Sequence, residues 1–427
     1  MSQLRLYTFC LMLRIYSSLF LLGLLMSCQP ETASSALQAD AIQMVSSPCN
    51  NGVQGRLFSS PSGEVLLSWT EFLNDSTDAL QFSRWQNDQW SAPKIIATGT
   101  NWFTNWADFP ALAVYPGAEE QMMAHWLQMR AEGTYDYDIY LTQSLDGGES
   151  WSEPFIPHRD SIAAEHGFVS MVPVADDRIF MSWLDGRNTK GDHDSHDEHD
   201  HGHGHGGAMT LRAAEVAPDG ELYAEAELDA RVCDCCQTSA AMTELGPIVA
   251  YRDRSQEEIR DISVVRQVDG QWLPAQNVHN DNWKIAGCPV NGPSIKARGN
   301  RVAIAWFTAP NTTGLVKFAW SNDNGANFSK PIRIDNGNPL GRVAVEFIDD
   351  QTAAISWMEL AGQTGEIHLA TVDASGRKSE DIILAKTEAS RQSGFPVMAA
   401  TDDALFLAWT GVDSLVQVQT AMVPLQL

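Results

Sequence analysis

Past its first 28 residues the chain has no apolar run long enough to cross a bilayer, which excludes a helical span from that part. Positive charge is scarce as well. Lys and Arg number 28 against 54 Asp and Glu, a formal charge of −26, and a nucleic-acid partner, which needs a basic stripe, is excluded with it. No long window repeats its apolar residues at helical spacing, so a helical bundle is excluded. Cysteine is limited to 7 residues, and they do not form the two separated Cys-x-x-Cys pairs of a zinc finger.

The first thirty residues, "MSQLRLYTFCLMLRIYSSLFLLGLLMSCQP", place Arg5 and Arg14 ahead of an apolar run that stops in "LMSC" at Cys28. Residues 1–27 read as a secretory signal with a lipobox-like end, after which Cys28 becomes the lipid-bearing amino terminus. An ordinary signal peptide or a membrane anchor is the alternative. Residues 28–48 follow as the lipidated terminus and a linker, and residues 49–427 form the body. The predicted setting is a bacterial cell envelope, with the body tethered to a membrane through its lipid. Gln29 favours the outer membrane, by resemblance to bacterial lipoproteins in general. Loss of Cys10 and lipidation of Cys28 leave Cys49, Cys233, Cys235, Cys236 and Cys288. Export permits disulfides, yet an odd number leaves at least one thiol free, metal-bound or paired between molecules.

What the body does contain is a repeat. A short strand, a turn and a second strand ending in an aromatic residue recur, closing at Trp69, Trp126, Trp183, Tyr251, Trp306, Trp357 and Trp409. Neighbours in that series lie 51 to 57 residues apart, with one interval of 68 that holds the histidine-rich insertion at 188–207. Each unit carries a second hairpin, such as "YDIYLTQSLDGGESWSEPFI", with β-branched and aromatic strands and Gly, Asp or Asn at the turn. Four strands per unit of this length predict an all-β fold, a β-propeller of four-stranded antiparallel blades. Seven blades are counted, and six would result if the first or last unit were not a true blade. The seventh unit ends early, and a strand near residues 36–47 can complete it and close the ring.

Two second hairpins match Ser-x-Asp-x-Gly-x-x-Trp/Phe. One supplies Ser144, Asp146, Gly148 and Trp151; the other supplies Ser321, Asp323, Gly325 and Phe328. "VDGQW", ending at Trp272, is a degenerate third. Asp and Ser satisfy backbone donors in such a turn, Gly takes positive φ, and the aromatic plugs the blade. The pattern resembles the Asp box (BNR repeat) of the sialidase superfamily, and the resemblance spans nearly the whole body for fold. "CDCCQT", "YRDRS", "EIRDI" and "GCPVNGP" together resemble a group of bacterial sialidase-like lipoproteins without an established reaction.

In a meander of four strands the 1–2 and 3–4 turns share one face of the disc. The 2–3 loops and the links between blades share the other, where sialidase-like propellers bind ligand. "RVCDCCQTS", with Cys233, Cys235 and Cys236, is the link from the third unit to the fourth. Cys288 lies in the next link, and His166 introduces the third unit. The 2–3 loop of the third unit carries His193, His196, His199, His201, His203 and His205 among acids and glycines. Thiolates with imidazoles suit a transition metal, copper or zinc, and soft sulfur favours copper in its reduced state. The His loop reads as a flexible, low-affinity metal collector, or as a solvated insertion that binds metal only incidentally. Alternatives for the thiols stay open: a disulfide from Cys288 to one member of the cluster, or redox work.

The sialidase resemblance implies an arginine triad gripping a carboxylate, with a Tyr/Glu nucleophile pair nearby. Arg56 stands where the family's first arginine would stand, although "GRLF" departs from its motif. Arg342 in "GRVAV" is a second arginine at the equivalent position of the sixth unit; a third has no candidate. Tyr251 and Glu244 are the weak candidates for nucleophile and base. The predicted function is an envelope-tethered propeller that binds or handles a transition metal. The alternatives are a sialidase-like glycoside hydrolase or glycan-binding protein, and a scaffold docking another envelope protein.

Overall fold

Alternation dictates the second strand of each unit: apolar residues on both faces, bounded by Gly, Asn and Asp. Val65–Asn74 is buried through its first seven residues, with Leu67 and Trp69 fully inside. A strand covered on both faces needs neighbours on both faces, and a ring of radial sheets provides them. A computed structural model of the chain describes residues 37, 39–60, 62–175, 177–190, 207–412 and 415–425.

Seven antiparallel blades follow one another. Blade 1 is Gly52–Ser59, Val65–Asn74, Thr77–Gln86 and Lys94–Gly99. Blade 2 is Ala111–Val114, Met122–Met129 and Tyr137–Ser144, edged by Phe155 where it bridges Leu141. Blade 3 is His166–Val174, Arg178–Asp185, Thr210–Val216 and Leu222–Asp229. Blade 4 is Ser239–Thr243, Gly246–Arg252, Ile262–Val268 and Gln276–Asn277. Blade 5 is Ser294–Arg298, Arg301–Thr308, Leu315–Ser321 and Ile332–Arg333. Blade 6 is Pro339–Phe347, Thr352–Ala361, Thr364–Asp373 and Ile382–Glu388. Blade 7 is Val397–Ala400, Ala404–Val412 and Val416–Pro424, with Gln43–Val45 from the other end of the chain as its outer strand.

The core is divided into seven apolar clusters, one between each pair of adjacent blades, including the pair formed by blades 7 and 1. The repeating aromatics fill them. Trp69, Trp183, Trp306, Trp357 and Trp409 each pack against the preceding blade. Their indoles also find acceptors: Trp69 Nε1 donates to Glu71 at 2.7 Å, Trp183 to Asp185 at 2.9 Å and Trp357 to Glu359 at 2.7 Å. The spacing Trp-x-Asp/Glu in these three units has a physical reason, since a buried indole N–H requires a partner.

The Asp boxes are 3–4 turns with structural work only. Ser144 Oγ sits 2.8 Å from Asp146 Oδ1 and accepts from Gly148 N at 2.8 Å. Ser321, Asp323 and Gly325 repeat these contacts at 2.7 and 2.9 Å. A Cβ on Gly148 would meet Phe82 of blade 1 at 2.4 Å, so glycine lets one blade press on the next. Trp151 packs edge-on against that same Phe82. Among the described residues, no helix is long and apolar enough to cross a membrane.

Candidate functional site

Three innermost strands carry a bulge at the same place, with positive φ at Gln54, Phe168 and Arg342. The bulges bend those strands as they enter from the inter-blade links. All seven blades or their links wall a central cavity of about 130 Å³, with Arg56, Asp108, Gln237 and Ser294 among its lining. Gln237, next to the cysteines, reaches across the mouth. Its amide donates to Ala107 O at 2.6 Å and accepts from Gly292 N at 2.9 Å.

The cysteine link is pinned beside the 2–3 loop of blade 4. Cys233 N donates to Arg252 O at 3.0 Å, and Arg260 Nη1 reaches Cys233 Sγ at 3.1 Å. Cys233 Sγ lies 3.7 Å from Cys236 Sγ and 4.0 Å from Cys235 Sγ. All five described cysteines are free. The three sulfurs lie mutually within 4.8 Å. Arg260 is completed by Glu258 at 2.7 Å, and Arg254 joins Glu258 to Asp234 at 2.8 and 3.2 Å. The charged stretch "YRDRSQEEIRDI" is thus a cradle for the thiols.

That cradle sets the ionisation. Hydrogen bonds with Cys235 and Cys236, followed by the Arg260 and Arg252 charges, hold Cys233 well below the usual thiol range. Cys235 is raised, above all by its bond to Cys233. Burial pushes Cys236 up to about 12. Cys288, exposed in the next link, is lowered to about 7, above all by its hydrogen bond with Cys235. Cys49 belongs elsewhere: it is buried in the core between blades 7 and 1, and burial raises it to about 12.

His166 keeps other company. Its ring stacks on that of His158 at 3.7 Å and 4° between planes, and its acidic neighbours are Asp138, Asp160 and Asp185. Burial, then the neighbouring His166, lowers His158 to about 3. Sequence reasoning missed His158 and Asp160, although "PHRD" in the link before His166 was the signal. His193, His196, His199, His201, His203, His205 and Cys28 lie outside the described residues.

The register separates the two arginines. Val53 pairs Thr70 and Arg56 pairs Ser68, whereas Gly341 pairs Met358 and Ala344 pairs Ser356. Arg342 therefore corresponds to Gln54, and the match of "GRLF" to "GRVAV" is off by two residues. Both bulge residues brace the following link. Gln54 donates to Asn105 O and Asp108 O; Arg342 donates to Ser393 Oγ at 2.6 Å and Gly394 O at 3.0 Å. Arg56 instead lines the cavity over the Phe109 ring at 5.1 Å, and burial lowers it to about 10. Tyr251 and Glu244 do not meet. Tyr251 is fully buried and bonds Asp229 at 2.5 Å, while Glu244 is exposed at the hairpin turn at the far end of that strand pair. The tyrosine near the cavity is Tyr137, whose hydroxyl lies 2.9 Å from Asp108 and 3.1 Å from Glu165. Burial raises Asp108 to about 7, and burial with the Asp108 charge raises Glu165 well above the usual carboxylate range.

No protein-family model and no curated protein sequence matches the chain. Among solved structures, phage phi92 endosialidase aligns over 90% of this chain and 69% of its own, with TM-score 0.50 and 10% identity. Polysaccharide lyase Uly1 aligns over 94% of both chains, with TM-score 0.51 and 9% identity. The fold is a sialidase-like β-propeller. Hadza microbial sialidase Hz136 aligns at 14% identity and TM-score 0.43 over 72% of this chain, which spans 63% of that protein's length. At these identities a sialidase-like propeller is a statement about fold.

Proposed function

We propose that this sialidase-like propeller binds and handles a soft transition metal, copper(I) before zinc, through Cys233, Cys235 and Cys236, with Cys288 at the edge. The observation that carries it is the sulfur triangle, with edges of 3.7 and 4.0 Å. Bonded sulfurs sit at ~2.05 Å, so these are not disulfides. Thiolates at ~2.3 Å from one tetrahedral ion stand ~3.8 Å apart, and slightly farther around a trigonal one. An all-sulfur donor set favours reduced copper, and Arg260 with Arg252 offsets the charge that three thiolates would bring together. The fitting residues supply binding and exclusion of solvent. Cys233 and Cys236 are each 1% exposed, which protects a bound copper(I) from oxidation. Lipid attachment at Cys28 would place this activity at the outer membrane of the cell envelope.

Anaerobic copper(I) loading of the full chain tests the proposal. One tightly held ion with sulfur neighbours by X-ray absorption is expected. Equal copper in a variant carrying Cys233→Ser, Cys235→Ser and Cys236→Ser would end it.

Glycan chemistry is a second reading, favoured by the named neighbours, an endosialidase and a polysaccharide lyase. Within the chain its support is Arg56, which lines the central cavity beside Asp108. Turnover of a fluorogenic sialoside that disappears with Arg56→Ala would promote this reading, and turnover no higher than that variant's would remove it.

A further inference from the structure

The link from blade 2 to blade 3 carries His158 and Asp160. Blade 3 adds His166 and Asp185, which face each other as paired residues of adjacent strands. Asp160 Oδ2 lies 3.4 Å from His158 Nδ1 and 3.2 Å from His166 Nε2, and Asp185 Oδ1 lies 3.7 Å from that Nε2. One nitrogen of each stacked ring and two carboxylates therefore share one edge of the stack. On the opposite edge, His166 Nδ1 lies 3.1 Å from Ala164 O and 3.3 Å from Tyr137 O. Carbonyls only accept, so Nδ1 bears a proton; Nε2 hydrogen-bonds to Asp160 Oδ2 at 3.2 Å, and a metal ion at this edge would take the place of the proton between them. A ring fixed in this way from behind is the usual outer arrangement of a metal-bound histidine.

His158 is the telling residue. It is 5% exposed, and among the described residues neither of its ring nitrogens has a hydrogen-bond partner, its nearest carboxylates being Asp160 at 3.4 Å from Nδ1 and Asp138 at 3.6 Å from Nε2. Buried polar groups in native proteins nearly always have one. The edge distances of 3.2 to 3.7 Å bracket the ~3.3 Å expected between nitrogen and oxygen ligands of a tetrahedral zinc ion. Asp185 is held in place by Trp183 Nε1 at 2.9 Å and by Arg187 at 2.7 Å. Arg187 also reaches Asp160 at 3.1 Å, which limits the negative charge at the edge. The Asp160 side chain is only 4% exposed, so the edge is shielded from bulk solvent.

We infer that His158, His166, Asp160 and Asp185 form a second metal site, chemically distinct from the thiols, for a borderline divalent cation of the zinc class. Imidazole and carboxylate donors suit such an ion and not copper(I). The inference stands on its own geometry and does not need the thiolate site to be right.

Cobalt(II) is the probe, because its absorption reports its ligands. The test uses the full chain with Cys233→Ser, Cys235→Ser and Cys236→Ser, and with the six histidines of residues 191–206 changed to asparagine. One equivalent of cobalt with visible d–d bands and no sulfur charge-transfer band is expected. His158→Ala and Asp160→Asn should each weaken binding by at least about tenfold; circular dichroism checks that each variant is folded. A folded background chain that takes up no cobalt at large excess overturns the inference, as does cobalt binding unaffected by both substitutions. Failure of the thiolate proposal reads out separately, as a wild-type chain without a charge-transfer band.

Discussion

Metal capture at the thiols should be a proton-releasing event with a slope fixed by the cradle. Cys233 is held well below the usual thiol range, while Cys235 and Cys236 are raised, so a bound metal is expected to displace the protons of the latter two. Three sulfur–metal bonds then require loss of two protons. Each proton lost on binding contributes a factor of ~10 per pH unit, so copper(I) affinity should rise ~100-fold per unit, or about 2.7 kcal/mol. Cys288 gives the slope a diagnostic break. Its thiol is lowered to about 7; if it joins as a fourth ligand, a third proton is lost below that pH and the slope there steepens to ~1000-fold per unit. Competition against a colorimetric copper(I) chelator, with the chelator's own pH dependence measured separately, gives the affinity from about pH 6 to about pH 8.5. Cys288→Ser should restore the two-proton slope throughout. A pH-independent affinity, or a slope of one proton, would refute the assignment of the shared protons and with it the three-thiolate set.

Three further outcomes follow from the same residues. In a Cys288→Ser background, Arg260→Met withdraws a cation from Cys233 and should slow iodoacetamide alkylation of the cluster near neutral pH severalfold; an unchanged rate would show that Arg260 does not act on the thiolate. Asp108 has its folded pKa raised from 3.8 to about 7, so the folded state binds the extra proton and stability falls as pH rises between those values, by up to about 4 kcal/mol. Asp108→Asn should flatten that decline in calorimetry, and parallel profiles would contradict it. Arg342→Met strands three acceptors, Ser393 Oγ, Gly394 O and Ser390 O, at a cost of about 3 kcal/mol. Arg56→Met should cost far less in urea denaturation, and the reverse ranking would undo the distinction between brace and cavity arginine.

The ring was legible because its signals are local and repeated. Trp69, Trp183, Trp306, Trp357 and Trp409 mark the same strand five times, and each lands in the cluster facing the previous blade. The Asp boxes were legible for the same reason: a turn is specified by the five or six residues that make it. Meander connectivity puts the cysteine link on the face of the channel mouth, and Gln237, the residue after Cys236, reaches across that mouth. What strand alternation does not specify is a bulge. The bulge between Gly341 and Ala344 turns Arg342 out of the cavity and into the next link. Pattern matching reads "GR" twice and sees two equal arginines.

The histidines expose a second limit. His166 and the thiols sit on adjacent links of one face, and sequence order gives no way to tell one shared site from two. The structure divides them by what stands between. Glu165 lies on the thiol side, where the charges of Asp234 and Cys288 help raise its pKa. His166, the next residue, turns inward onto Ala164 O and Tyr137 O. Alternation along a strand therefore sends neighbouring side chains to different chemistry: sulfur with arginine on one side, imidazole with carboxylate on the other. A single mixed Cys/His site would require His166 to leave a pocket in which it is 0% exposed and held on both ring nitrogens. Two separate donor sets, one soft and one borderline, are the arrangement these contacts favour. Cobalt spectra of the wild-type chain should accordingly show sulfur charge transfer and nitrogen/oxygen d–d bands that disappear independently with the cysteine and the His158 substitutions. Their disappearance together would mean one site after all.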